Sequence, residues 1–474
     1  MSSRRESNAN RIQRAGNLPM TPSSQTNFDL IVLGTGSAGQ NVATSCREKG
    51  WSVAIIDPLP FGGTCSQRGC DPKRVLAGAA ELIARSRNLK GKGIVSENAL
   101  DWSDLMAFKT TFVEDIPEST EEKFKEAGIH YVHGTASFTG TNKIQVGEQE
   151  LTGGKILIAT GAKPATLDIE GEELLMNSAG FLDLKKLPEK VAFIGGGYIS
   201  FEFAHIAAEA GAEVHLIHNN DKPLKNFDPD LVEALVDSMR KLGIIFHLNT
   251  KTEKITQSGD LFVLEAKEEG KPIRLEVGAV IHGAGRVPNI DELDLEKGNV
   301  DADKKGVTVN EQMRSISNPD VYAAGDVSGS PGLPLTPIAG LEARAVTANL
   351  LDEGNKTPNY TATPSVVFTY PMLASVGMTE AQAKDSGKDI KVNLFDMSGW
   401  YTYKRMGEKH SMAKVILDKA DGSILGAHVL NSNAEHLINY FTIAMRHGLT
   451  AAQLGDTLFA YPSDGSDVQY LLQK

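Results

Sequence analysis

Apolar residues along this chain fall into short unbroken runs separated by glycine-rich turns. The first run, Phe28-Asp29-Leu30-Ile31-Val32-Leu33, is too short for a core helix and reads as a buried parallel strand. It leads directly into Gly34-Thr35-Gly36-Ser37-Ala38-Gly39, then a helix-like stretch, then a second run, Val53-Ala54-Ile55-Ile56, that ends in Asp57. The same pattern returns further on. Val191-Ala192-Phe193-Ile194 runs into Gly195-Gly196-Gly197-Tyr198-Ile199-Ser200, a helix-like stretch through Ala210, and the strand Val214-His215-Leu216-Ile217. A constant offset of 161 carries Gly34 onto Gly195, Gly36 onto Gly197 and Gly39 onto Ser200. Charged, glycine-bearing stretches such as Glu268-Glu269-Gly270-Lys271-Pro272 read as hairpin turns.

Strand, GxGxxG, helix, strand and a closing acid make up a dinucleotide-binding unit. The first glycine forms the tight turn, the second admits the pyrophosphate, and the third lets helix pack on strand; N–H groups at the helix start hold phosphate. Asp57 stands where a carboxylate would bond a ribose hydroxyl. Two such units predict an α/β protein that binds two dinucleotides, most simply a flavin and a nicotinamide. In the second unit Ser200 is a small-for-small change, but His218 takes the place of the acid. Without a carboxylate to repel a 2′-phosphate, and with Asn219, Asn220, Lys222 and Lys225 following, the unit is expected to prefer NADPH to NADH. The alternative is that the two lysines form an ordinary solvated face.

Cys65 and Cys70 lie in Gly62-Gly63-Thr64-Cys65-Ser66-Gln67-Arg68-Gly69-Cys70-Asp71-Pro72-Lys73. A bridge closing so short a loop would add little stability. The same closeness suits a redox centre, in which one sulfur attacks a partner and the other resolves it. Zinc would need more ligands, and only Cys46 remains, with no ligand-like cluster among the 11 histidines, so no metal site is expected. A net charge of −12 argues against nucleic acid, and no apolar run is long enough to span a bilayer. Three cysteines in 474 residues do not make a stapled secreted protein. Residues 1–27 are polar and lack the apolar core of a secretory signal, which predicts a disordered tail and a cytoplasmic protein.

With the cysteine pair set just after the first unit, the chain resembles the class I pyridine-nucleotide-disulfide oxidoreductases: glutathione reductase, dihydrolipoamide dehydrogenase, mercuric reductase and relatives. The resemblance covers about residues 28–474 and rests on several motifs. Ala159-Thr160-Gly161 matches the exit from the flavin domain, and Gly285-Arg286-Val287-Pro288-Asn289 its return. Tyr322-Ala323-Ala324-Gly325-Asp326 matches the strand whose aspartate bonds the flavin ribityl chain, and Leu335-Thr336-Pro337 the segment at the flavin pyrimidine edge. Val367-Phe368-Thr369 through Val376-Gly377-Met378-Thr379-Glu380 matches the start of the dimerisation domain. The resemblance implies FAD held by Gly34, Gly36, Gly39, Asp57, Thr64, Thr160, Gly161, Asp326 and Thr336. NADPH would be held by Gly195, Gly197, Tyr198, Ile199, His218, Asn219, Lys225 and Gly285. Tyr198 would lie over the flavin and swing aside for the nicotinamide. Hydride would then reach the flavin and open a Cys65–Cys70 bridge, with Cys70 the flavin-side sulfur and Cys65 the interchange thiol. Lys73, one turn beyond Cys70, would pair with Glu202 and approach the flavin. The helix N-terminus and Arg68 are expected to lower the thiol pKa.

The chain departs from the family at its C-terminal end. Relatives that reduce disulfides carry His-Pro-Thr-x-x-Glu, whose histidine serves the other subunit; here the stretch is Tyr461-Pro462-Ser463-Asp464-Gly465-Ser466-Asp467. Tyr461 can donate a proton but is a poor base, since a phenol titrates near 10. Ser466 replaces the orienting glutamate, which Asp464 or Asp467 could supply instead. No cysteine pair of the mercuric reductase kind closes the chain, and Thr44 and Asn349 stand where glutathione reductases place glutathione-binding arginines.

The expected layout is a flavin domain (28–164 and 290–358), a nicotinamide domain (165–289) and an α+β dimerisation domain (359–474). The expected function is a homodimeric, NADPH-dependent flavoenzyme that reduces a disulfide or related small-molecule acceptor other than glutathione. The alternatives are a quinone, metal-ion or dye reductase, and a redox-sensing flavoprotein with little turnover.

Overall fold

The computed structural model describes residues 25–96, 98–351 and 354–473; residues 1–24 of the expected tail lie outside them. The chain divides into two compact units. One takes in the described residues up to Lys73 with Phe108–Ala165 and Arg286–Tyr360, the other Arg74–Ala107, Thr166–Gly285 and Thr361 to the end.

In the first unit the opening apolar run forms the strand Asn27–Leu33, parallel to Val53–Asp57 on one side and Gln149–Ile158 on the other. His130–His133 extends the sheet beyond Val53–Asp57, and Val321–Ala323 pairs in parallel with Ile156–Ile158. Two antiparallel strands, Lys143–Val146 and Ala136–Gly140, complete it. Leu30 and Val32 join one apolar cluster while Phe28, Ile31 and Leu33 join another. Both faces are therefore covered, which is why the run does not alternate. Each such side chain contributes roughly 1.5–3 kcal/mol by burial. The chain leaves and re-enters this unit through a two-stranded ribbon, Ala162–Pro164 antiparallel to Arg286–Pro288. It is fastened by Thr160 Oγ1 donating to Asn289 O at 2.7 Å.

The second unit holds a four-stranded parallel sheet in the order Ile245–His247, Glu213–Ile217, Lys190–Ile194, Ala279–His282. A three-stranded antiparallel sheet spans Thr250–Val277. The remainder is a five-stranded antiparallel sheet, Ser365–Val367, Met372–Gly377, Ile424–Asn431, Met412–Asp418 and Ile390–Asp396. Leu437, Ile438, Phe441 and Ala444 of helix Ala434–Arg446 share its core with Ala374, Val376, Ala427 and Val429. The fold is thus α/β, with two Rossmann-like dinucleotide-binding halves and a C-terminal α+β domain, as the sequence pattern predicts. Within this unit Lys414 is 2% exposed and meets three carboxylates, Asp228, Asp230 and Glu380, at 2.6–3.0 Å.

Candidate active site

The two fingerprints show why glycine stands where it does. Gly34 has φ +107°, and a Cβ there would lie 2.3 Å from Ala159 O; at Gly39 it would lie 2.0 Å from Gly34 O. Both positions are closed by backbone. At Gly36 a Cβ would meet nothing within 4 Å, nor would one at Gly161. The open space lies over the start of helix Ser37–Glu48, whose N–H groups suit a pyrophosphate, so this loop fits the expected FAD. Asp57, the acid of the first unit, is 8% exposed and orders the loop itself. Its Oδ2 accepts from Thr35 N–H and Thr35 Oγ1, both at 2.8 Å, and its Oδ1 from Leu59 N–H at 2.9 Å. Three of about four acceptor positions are filled by the protein.

The cysteines sit against this loop. Thr64 and Cys65 belong to the short helix Gly63–Arg68, and Cys70 begins the long helix Cys70–Asn88. A Cβ on Gly63 would fall 2.4 Å from Gly36 Cα, and one on Gly69 2.8 Å from Thr64 O. The missing side chains let the cysteine turn press on the glycine loop and fold Cys70 back towards Cys65. Gln67 fixes the turn, its Nε2 donating to Phe61 O at 2.7 Å and Pro60 O at 3.0 Å. Across from the sulfurs stands Thr336, first residue of helix Thr336–Leu350. Its Oγ1 donates to Cys65 Sγ at 3.2 Å and lies 3.7 Å from Cys70 Sγ. The sequence offered Thr336 only as a flavin neighbour; its contact with both sulfurs is new. No disulfide joins the three cysteines in this structure. The expected lowering of thiol pKa does not hold at Cys65. The neighbouring Cys70 thiol, then burial, push Cys65 well up, while the Thr336 hydroxyl pulls the other way.

Asp326 follows Gly325, whose φ is +78°. Arg286 Nη1 reaches Asp326 Oδ2 at 3.4 Å and Arg286 Nη2 donates to Ala162 O at 2.6 Å, so the ribbon and the aspartate meet. Burial pushes the Asp326 carboxyl above the usual range, with Arg286 opposing.

In the second unit Gly195 has φ +111°, and a Cβ there would strike Gly283 O at 2.3 Å. Ser200, standing for the third glycine, is fully buried. Its room comes from Gly283, where a Cβ would lie 2.1 Å from Ser200 Oγ. His218 packs its ring on Gly196, and burial holds its pKa below the usual value. Leu224 N–H donates to Gly196 O at 2.8 Å, drawing the 218–225 segment over the turn. Asn219 and Lys225 are exposed on that segment, Tyr198 is 42% exposed, and Ile199 follows it on the helix. A Cβ on Gly285 would meet nothing within 4 Å.

Glu202 is 2% exposed and accepts from Phe368 N–H at 2.8 Å. Lys73 lies in the first turn of the Cys70 helix. The next residue, Arg74, is likewise one turn from Cys70, and its partners lie far off in the chain, where no local pattern points to them. Its guanidinium lies 4.8 Å from the Phe368 ring centre and pairs with Glu435 at 3.1 Å.

At the C-terminal stretch Tyr461 is 82% exposed. Ser466 caps the last helix: its Oγ donates to Ser463 O at 2.6 Å and accepts from Ser463 N–H at 3.1 Å. Asp464 accepts from Asn433 Nδ2 at 2.7 Å, and Asp467 is 8% exposed, its carboxyl pushed up by burial.

Comparison with known proteins decides the family. The pyridine nucleotide-disulphide oxidoreductase profile matches residues 28–343, and the dimerisation-domain profile of the same group matches 363–470. The chain belongs to this family. It is 31% identical to a mercuric reductase of Staphylococcus aureus over 92% of the chain and 80% of that protein. To a glutathione reductase of Burkholderia cepacia it is also 31% identical, over 92% and 96%. The HOCl-induced flavoprotein disulfide reductase RclA of Escherichia coli, solved also as a Cu(II) complex, superposes with TM-scores of 0.84–0.85 at 27% identity, covering 94% of this chain and 99% of that one. Members are flavin-dependent enzymes that use pyridine nucleotide, and this chain is an oxidoreductase of that kind. No described helix is long and apolar enough to cross a membrane.

Proposed function

We propose that this oxidoreductase carries electrons from NADPH through FAD to the Cys65–Cys70 pair, and from there to a disulfide or related acceptor other than glutathione. The observation that carries the reading is the Thr336 hydroxyl within reach of both sulfurs beside the Gly36 loop. When bound there, FAD supplies a carrier that takes hydride and returns an electron pair to sulfur. Cys65 attacks the acceptor disulfide as a thiolate, its S–S bond breaks, and the departing thiolate takes a proton. Cys70 then attacks Cys65, re-forming the internal disulfide and releasing the second thiol. Thr336 steadies negative charge on either sulfur by hydrogen bonding. Lys73, in the first turn of the Cys70 helix, serves as the cation of the flavin side. Exposed Tyr461 serves as proton donor to the departing thiolate in the other chain of a homodimer. His218, Asn219 and Lys225 favour the 2′-phosphate of NADPH, since none repels it. The cytoplasm suits a dithiol that must stay reducible.

A second reading is reduction of a soft metal ion. Ser466 is spent on a helix cap, Asp464 accepts from Asn433 and Asp467 is buried while Tyr461 is exposed, so on this reading Tyr461 works without an orienting carboxylate. A metal ion held by two thiolates needs no protonated leaving thiol, so this loss matters less. Similarity to a mercuric reductase and to a Cu(II)-binding flavoprotein points the same way.

Anaerobic turnover with NADPH and with NADH against disulfides, quinones, Cu(II) and Hg(II) separates these readings. The first predicts a higher kcat/KM with NADPH, best turnover with a disulfide, and its loss in Cys65→Ser. Full disulfide turnover in that variant, or faster turnover with metal ions, would refute it.

A further inference from the structure

Two segments assigned to the flavin, Gly325–Asp326 and Leu335–Thr336, lie at either end of one loop. That loop is fastened midway by a side chain with no expected role. Glu342, on the second turn of the helix that Thr336 begins, is 1% exposed. Its Oε2 accepts from Gly325 N–H at 2.6 Å and from Ser328 Oγ at 3.3 Å. Its Oε1 accepts from Ser330 Oγ at 2.5 Å and Tyr360 Oη at 2.9 Å. Four donors thus meet one carboxylate, three of them from the loop that carries Asp326. The fit is close, since a Cβ on Gly332 would come within 3.0 Å of Glu342 Oε1 and 2.7 Å of the Tyr360 ring. Gly325 itself lies against the helices on both sides, where a Cβ would sit 3.4 Å from Ala339 Cβ and 3.9 Å from Ala38 Cβ.

Burying a carboxylate is costly, and an apolar residue would fill a core position at less expense. A carboxylate, with about four acceptor sites, suits this loop because Gly325 N–H and the Ser328 and Ser330 hydroxyls all point inward. The donor from Gly325 is the peptide N–H immediately before Asp326, so the carboxylate fixes the backbone from which the Asp326 side chain projects.

We infer that Glu342 is a positioning residue for the flavin, holding the Gly325–Ser330 turn, and with it Asp326, in register with the Thr336 helix. The inference rests on the reading that this unit binds FAD. Burial pushes the Glu342 carboxyl up, and its hydrogen bonds, led by the one from Ser330, oppose that.

The test is equilibrium titration of the full-length apoprotein with FAD, followed by flavin fluorescence, with NADP+ affinity and Tm measured on the same samples. Glu342→Ala is expected to weaken FAD binding about tenfold or more, with Glu342→Gln intermediate because it keeps one acceptor oxygen. NADP+ affinity is expected to stay within twofold of wild type. Should Glu342→Ala not fold, Ser330→Ala combined with Tyr360→Phe removes two donors and is expected to weaken FAD severalfold. FAD affinity unchanged in a folded variant, even with a lower Tm, overturns the inference and leaves the function standing. A wild-type protein that takes up no FAD overturns both.

Discussion

Thr336 offers one hydroxyl to two sulfurs, and the closer is Cys65, which resists ionisation. A hydrogen bond to an ionised group contributes roughly 1.5–3 kcal/mol, so removing it changes the thiolate fraction by about tenfold or more. Because the Thr336 hydroxyl lowers the Cys65 pKa against the pull of Cys70 and burial, its loss moves the pKa further up. Thr336→Val is therefore expected to shift the pH profile of Cys65 alkylation in the reduced enzyme to higher pH, by about one unit. An unshifted midpoint, read by mass spectrometry, would show that the hydroxyl does not serve the sulfur. This residue also marks what the sequence could reveal. Cys65 and Cys70 are neighbours in the chain and announce themselves by spacing. The hydroxyl that meets them stands 271 positions from Cys65, and no local pattern couples the two. Glu342 was hidden for the same reason, being one glutamate among many until its donors were seen.

At the level of elements, the repeated unit was legible because the demands of a tight turn fall on consecutive residues. Gly34 and Gly195 must reach φ near +110°, and their neighbours must clear the strand behind them. The substitution of Ser200 was legible as tolerable, but not the reason. Helix and strand still approach closely, and the absent side chain has moved across the contact to Gly283. This gives a double-mutant test. Gly283→Ala places a methyl about 2 Å from the Ser200 hydroxyl and is expected to cost on the order of 1–3 kcal/mol by overpacking. Adding Ser200→Gly removes the clash and is expected to restore part of that loss, less the cost of about 1 kcal/mol for glycine in a helix. Strict additivity in urea unfolding would mean that the two positions do not share the space.

For the molecule as a whole, the second unit owes part of its coherence to Lys414. Burial works against its charge, but Asp230, Asp228 and Glu380 outweigh it and push the pKa up. A raised lysine pKa adds stability that is fully present below the ordinary value near 10.5 and is lost as pH rises through the higher folded value. Near neutral pH the ion cluster is therefore intact. Lys414→Met is expected to lower unfolding stability by about 3–5 kcal/mol, since it leaves buried Asp228 without its counter-ion. A loss below about 1 kcal/mol in urea unfolding at pH 7 would count against this account.

The ribbon at Ala162–Pro164 and the late strand Val321–Ala323 impose a timetable on synthesis. When Gln149–Ile158 emerges from the ribosome, the strand that will cover its Ile156–Ile158 edge has not been made. The whole stretch Thr166–Gly285 must come out first. Throughout that interval the nascent sheet presents a bare apolar edge, the kind of surface that chaperones hold and that pairs wrongly when left alone.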